Sequence, residues 1–73
     1  MAQRSLTARE VQVLQSIAEG NSTQRTAELL GISARSVDRN LGHIYEKLGA
    51  DNRTQAILMA LREEIIALPP RGW

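Results

Sequence analysis

The stretch from Ser22 to Gly49 constrains this chain most, because it reads as two amphipathic helices bent about a Gly31-Ile32-Ser33 turn in which each residue has its own physical task. Gly31 takes up the left-handed backbone that ends a helix at little steric cost. Ile32 is apolar in an otherwise polar turn, which suits a side chain lodged between helices. Ser33 caps the amides that open the next helix.

The rest of the chain supplies helices to pack against this unit. Thr7-Ala8-Arg9-Glu10 is a capping box, with Leu6 and Val11 at the positions of a hydrophobic staple, so a first helix is expected to run to Glu19 and stop at Gly20. Val11, Leu14, Ile17 and Ala18 give it one apolar stripe. The second helix is expected from Ser22 or Thr23 to Gly31, with Ala27 and Leu30 inward, Leu29 beside them, and Thr26 bonding back to the carbonyl of Ser22.

The third helix, from about residue 34 to 48, carries a seam of Val37, Leu41, Ile44 and Leu48 at spacings of four, three and four. Its opposite face carries Arg35, Arg39, Gly42 and Glu46. Asp38 and His43 flank that face, while Ser36, Asn40 and Lys47 lie nearer the seam. A last helix is expected from about Thr54 to Leu68, capped by Thr54 or Asn52 and closed by Pro69 and Pro70. In it Ile57, Leu61, Ile65 and Leu68 form one row and Leu58 borders it. Ala56, Met59 and Ala60 fall on other sides, an apolar excess that suggests self-association.

Composition excludes several classes of function. At 73 residues the chain is one small domain with little room for an enzyme cleft, and no cysteine is available for a disulfide or a Cys-based zinc site. His43 is the sole histidine, and Glu63 and Glu64 are neighbours that diverge on a helix, so neither a metal centre, nor a cofactor, nor a carboxylate pair for acid/base work is expected. Nine basic and eight acidic residues leave a net charge of +1, so any footprint for nucleic acid must be local. One Tyr and one Trp are too few to stack single-stranded bases, which favours a duplex. No stretch approaches the roughly 20 apolar residues of a membrane span, and no secretory signal is evident, so a cytoplasmic protein without a membrane partner is expected.

Leu6-Thr7-Ala8-Arg9-Glu10, Ile17-Ala18-Glu19-Gly20, Leu30-Gly31-Ile32-Ser33, Ile44-Tyr45-Glu46-Lys47-Leu48-Gly49 and Asn52-Arg53-Thr54-Gln55-Ala56 together resemble the DNA-binding domain of LuxR-type (GerE-type) transcriptional regulators. The resemblance implies an all-α, four-helix bundle-like domain over residues 1–68, with a central helix-turn-helix, a C-terminal dimerisation helix and a tail at 69–73. It implies a DNA-binding regulator that is not an enzyme. Members usually join this domain to an amino-terminal receiver or ligand-binding domain, so the chain is expected to be either free-standing or a response-regulator output domain excised from a longer protein. A fragment of a sigma-factor-like domain fits the opening and Asn52–Ala56 motifs less well.

Expected DNA contacts are Thr23, Arg25, Ser33, Arg35, Ser36, Asp38, Arg39, Asn40, Gly42, His43 and Lys47, and expected dimer contacts are Ile57, Leu58, Leu61, Arg62 and Ile65. Departures from the family pattern fall on the helix-turn-helix. Where the family commonly has Thr-Val-Lys-x-His, this chain has Ser36-Val37-Asp38-Arg39-Asn40. Asp38 either accepts from the exocyclic amine of cytosine or serves as a salt-bridged or solvated surface group. Asn40 suits either adenine or a structural hydrogen bond. Thr26 stands where the family has an apolar core residue. The alternative function is a protein-interaction module of the same fold, holding a partner such as RNA polymerase.

Overall fold

The computed structural model describes residues 5–68, so the expected tail at 69–73 lies outside the described residues. The order is α1 (Ala8–Ala18), α2 (Thr23–Leu30), α3 (Ala34–Leu48) and α4 (Arg53–Arg62), with no strand among the described residues. Each helix starts where a side chain satisfies its first free amides. Thr7 accepts from the Glu10 amide while the Glu10 carboxylate accepts from Thr7, completing the capping box. Ser22, Ser33 and Asn52 accept from the amides of Arg25, Ser36 and Gln55. Of the two caps considered for the last helix, the structure uses Asn52.

Gly31 ends α2 with φ 69°, and the Ile32 amide reaches back to the Ala27 carbonyl at 3.0 Å. This turn sets the direction of α3. Gly49 closes α3 in the same way, at φ 72°.

The core gathers Val13, Leu14 and Ile17 of α1, Ala27 of α2, Val37, Leu41 and Ile44 of α3, Ala56 and Ala60 of α4, and Ile66 beyond it. Leu6, Val11, Ile32 and Leu48 pack partly buried around them. Because α3 touches α1, α2 and α4, its three core residues are the hub of the fold.

Three expectations need correction. The last helix ends at Arg62, not Leu68, because Glu64 turns left-handed at φ 60° and the Ile65 amide caps back onto the Ala60 carbonyl at 2.8 Å. Ile65 and Leu68 are therefore not on the helix. Its inward side is also not the bulky row: Ala56 and Ala60 are fully buried, while Ile57 and Leu61 are only partly so. Small side chains let α4 lie close to its neighbours, and packing density rather than residue bulk decides the face.

Thirdly, Thr26 is fully buried, and its hydroxyl pairs with that of Ser16 at 2.7 Å instead of bonding back to Ser22. The Asn21 carboxamide donates to the same Ser16 oxygen at 3.1 Å. The result is a small polar link between α1 and α2.

Candidate nucleic-acid interface

α3 carries the candidate site because its two faces are chemically opposed. Val37, Leu41 and Ile44 are buried, whereas Arg35, Asp38, Arg39, Gly42, His43 and Glu46 are exposed. Positions 35, 38, 39 and 42 share one face by their spacing of three and four. Arg35, Asp38 and Arg39 make no ion pair with another described residue. The Asp38 carboxylate is exposed on the same face as Arg35 and Arg39.

Gly42 is open space on the molecule's own account: a Cβ built there meets nothing within 4 Å. Nothing inside the fold requires a glycine at this helix position. Ser33 and Ser36 are tied at the start of the helix, where the Ser33 hydroxyl accepts from the Ser36 amide and donates to its hydroxyl at 3.1 Å. Asn40 is half-buried and donates to the Ser36 carbonyl at 2.8 Å, which is the structural one of its two expected roles.

At the far end of α3, Lys47 is half-buried and reaches across to α1, placing Nζ 2.8 Å from Glu10 Oε1. His43 Nδ1 stands 3.9 Å from the other carboxylate oxygen, too far for a hydrogen bond. Glu10 is only 3% exposed. Burial pushes its carboxyl up, but hydrogen bonds from Lys47 and the Thr7 backbone, with the Lys47 charge, outweigh that and leave its pKa below the ordinary value. The sequence offers Glu10 both as a cap and as a partner for Arg53; the structure pairs it with Lys47 instead, a lysine at the edge of the α3 seam. In α2, Thr23 is half-buried and Arg25 is exposed, with its guanidinium 3.3 Å from Glu28.

Of the expected dimer contacts, Leu58 is 56% exposed, Arg62 is exposed, and Ile57, Leu61 and Ile65 are partly buried. Among the described residues no helix is long and apolar enough to cross a membrane, and no group of His, Cys, Asp and Glu is placed to hold a metal.

A short α2, a tight glycine turn and an α3 seated by its seam define a helix-turn-helix domain. The GerE model, described as bacterial regulatory proteins of the luxR family, matches residues 4–60. The chain belongs to this family, whose proteins are DNA-binding transcription regulators and not enzymes. It is 43% identical over 63 residues to the transcriptional regulatory protein YdfI of Bacillus subtilis (strain 168), covering 86% of this chain and 30% of that one. It is 46% identical over 56 residues to the transcriptional activator protein VanR of Vibrio anguillarum, covering 77% of this chain and 23% of VanR. It therefore spans less than a third of the length of these curated relatives.

Among solved structures, the transcription factor GerE superposes with a TM-score of 0.82 at 34% identity, covering 85% of this chain and 92% of that one. The response regulator ChrA of a heme-sensing two-component system superposes with a TM-score of 0.83 at 42% identity, covering 90% of this chain and 33% of that one.

Proposed function

We propose that this domain recognises a double-stranded DNA site by laying the outer face of α3 in the major groove, and that it serves in the cytoplasm as the output domain of a transcriptional regulator. The observation that carries this is the free face of Arg35, Asp38, Arg39 and Gly42 on a helix whose other side is fully seated. Arg35 and Arg39 donate to guanine edges or to phosphate, and Asp38 accepts from cytosine. Gly42 admits the DNA backbone closely. Thr23, Arg25, Ser33, Ser36 and His43 contact phosphate, while Asn40 and Lys47 act through the contacts that hold α3 in place. Two copies bind two half-sites, paired through Ile57, Leu58, Leu61, Arg62 and Ile65.

Selection of bound duplexes from a random pool tests the reading. One enriched sequence with two related half-sites supports it, and retention of no duplex at low ionic strength removes it.

A second reading is a protein-interaction module, with RNA polymerase as the partner. It is favoured by the charge on α3, where Arg35 and Arg39 are offset by Asp38 and Glu46 and Lys47 is paired with Glu10. Salt separates the two, since binding that neutralises several phosphates weakens steeply as salt rises and an apolar protein contact does not.

A further inference from the structure

Between Arg53 and Leu68 there is no glycine or proline, and Ile57, Leu61, Ile65 and Leu68 keep helical spacing, yet α4 ends at Arg62. The stop is made by Glu64 in the left-handed region, at φ 60°, where an L side chain is disfavoured. Tertiary contacts hold it there. Ile66 enters the core at 5% exposure, and the Gln15 carboxamide of α1 grips both backbone groups of Ala67, accepting from its N–H at 3.1 Å and donating to its carbonyl. Residues 63–68 thus form a strap over α1, set against their local preference for helix. They lie beyond the residues 4–60 that the family model matches.

We infer that the strap and a longer α4 are alternative states of one segment, and that a second copy of this chain selects the longer one; this rests on α4 being the dimer contact. With α4 ending at Arg62, the ten-residue helix offers a partner chiefly Leu58, with Ile57 and Leu61 already partly buried. Two such helices bury far less than the ~1,200 Å² at which stable interfaces begin. Releasing the strap extends the helix to Leu68, about 9 Å at 1.5 Å per residue, and brings Ile65 and Leu68 into line with Ile57 and Leu61. Leu68, 53% exposed in the strapped form, then gains a partner.

Release gives up the Ile66 burial and the Gln15 grip. It recovers helical hydrogen bonds and frees Glu64 from its strained backbone. The strap therefore holds back dimerisation, and because both copies must release, the apparent affinity between them scales with the square of the released fraction.

Sedimentation equilibrium and Cα chemical shifts on the labelled full chain, over a concentration series, test this. Helical shifts at residues 63–67 grow in step with the dimer fraction. Glu64→Gly, which suits the left-handed turn and disfavours the longer helix, weakens dimerisation by roughly tenfold or more, while Glu64→Ala stays within about twofold of the parent. A dimer whose residues 63–67 keep non-helical shifts, or a Glu64→Gly chain that pairs as tightly as the parent, overturns the strap and leaves the α4 dimer standing. Absence of self-association in every variant overturns both.

Discussion

Lys47 and Glu10 stand 37 residues apart in sequence and 2.8 Å apart in space, joining the last turn of α3 to the first turn of α1. The carboxylate is also the return half of the capping box, so a single buried acid both starts α1 and clamps the far end of the helix that presents the candidate DNA surface. A cation near the C-terminus of α3 also suits the helix dipole.

Removing the cation leaves that carboxylate buried with less compensation. Lys47→Ala is expected to lower unfolding free energy by about 1–3 kcal/mol, read by urea denaturation. A loss below a few tenths of a kcal/mol would mean that the pair is only a surface contact.

The same group makes stability depend on pH in a defined direction. A carboxyl whose folded pKa lies below its unfolded value stabilises fully above that unfolded value, about 4.3, and loses the contribution as pH falls through the folded one. Since Glu10 is lowered, the melting temperature drops as the medium is acidified below about pH 4–5. Glu10→Gln flattens this part of the profile. An unchanged acid limb in that variant would assign the effect to other carboxylates.

The buried hydroxyl pair of Ser16 and Thr26 predicts non-additive mutations. Thr26→Val strands Ser16 with only Asn21 as partner and costs about 1–2 kcal/mol, whereas Ser16→Ala with Thr26→Val removes both hydroxyls, leaves the half-buried Asn21 to turn to solvent, and costs less than the sum of the two single changes. Chemical denaturation of the two singles and the double closes the cycle. Simple additivity would show that the two groups do not act together.

Gly42 separates fold from function. Because a Cβ there meets no neighbour, Gly42→Ala stabilises the domain by about 0.5–1 kcal/mol through helix propensity. If the DNA backbone approaches at this point, the same change weakens duplex binding several-fold in fluorescence anisotropy. Undiminished affinity would leave Gly42 without a role at the interface.

Asp38 distinguishes readout from repulsion. Asp38→Ala is expected to raise affinity for unrelated duplexes by removing a negative charge from the phosphate surface, and to reduce discrimination at one C·G pair by about 1–3 kcal/mol. A uniform gain at every sequence would reduce Asp38 to a repulsive group. Arg39→Ala is expected to cost about 1–3 kcal/mol on the selected site.

Local chemistry explains why most of the fold was legible. The caps at Thr7, Ser22 and Ser33, the glycine at 31, and the seam of Val37, Leu41 and Ile44 each act over three or four residues, and a linear reading captures them. The family relationship was legible for the same reason. What escaped is tertiary. Nothing near Glu64 marks a stop, since the contacts that enforce it come from Gln15, about fifty residues earlier. Thr26 was read against its own helix, but its partner lies on α1. The buried side of α4 was assigned by bulk, whereas close approach selects Ala56 and Ala60. At the candidate site, the free face of α3 followed from spacing alone, while the ties of Asn40 and Lys47 depended on neighbours that periodicity does not specify.

The most direct measurement is amide chemical-shift mapping of the domain as a duplex is added at low ionic strength. The largest changes are expected at Arg35, Asp38, Arg39, Gly42 and His43, fading as salt is raised. Changes confined to α4, or none at any salt concentration, would contradict the placement of α3 in the major groove.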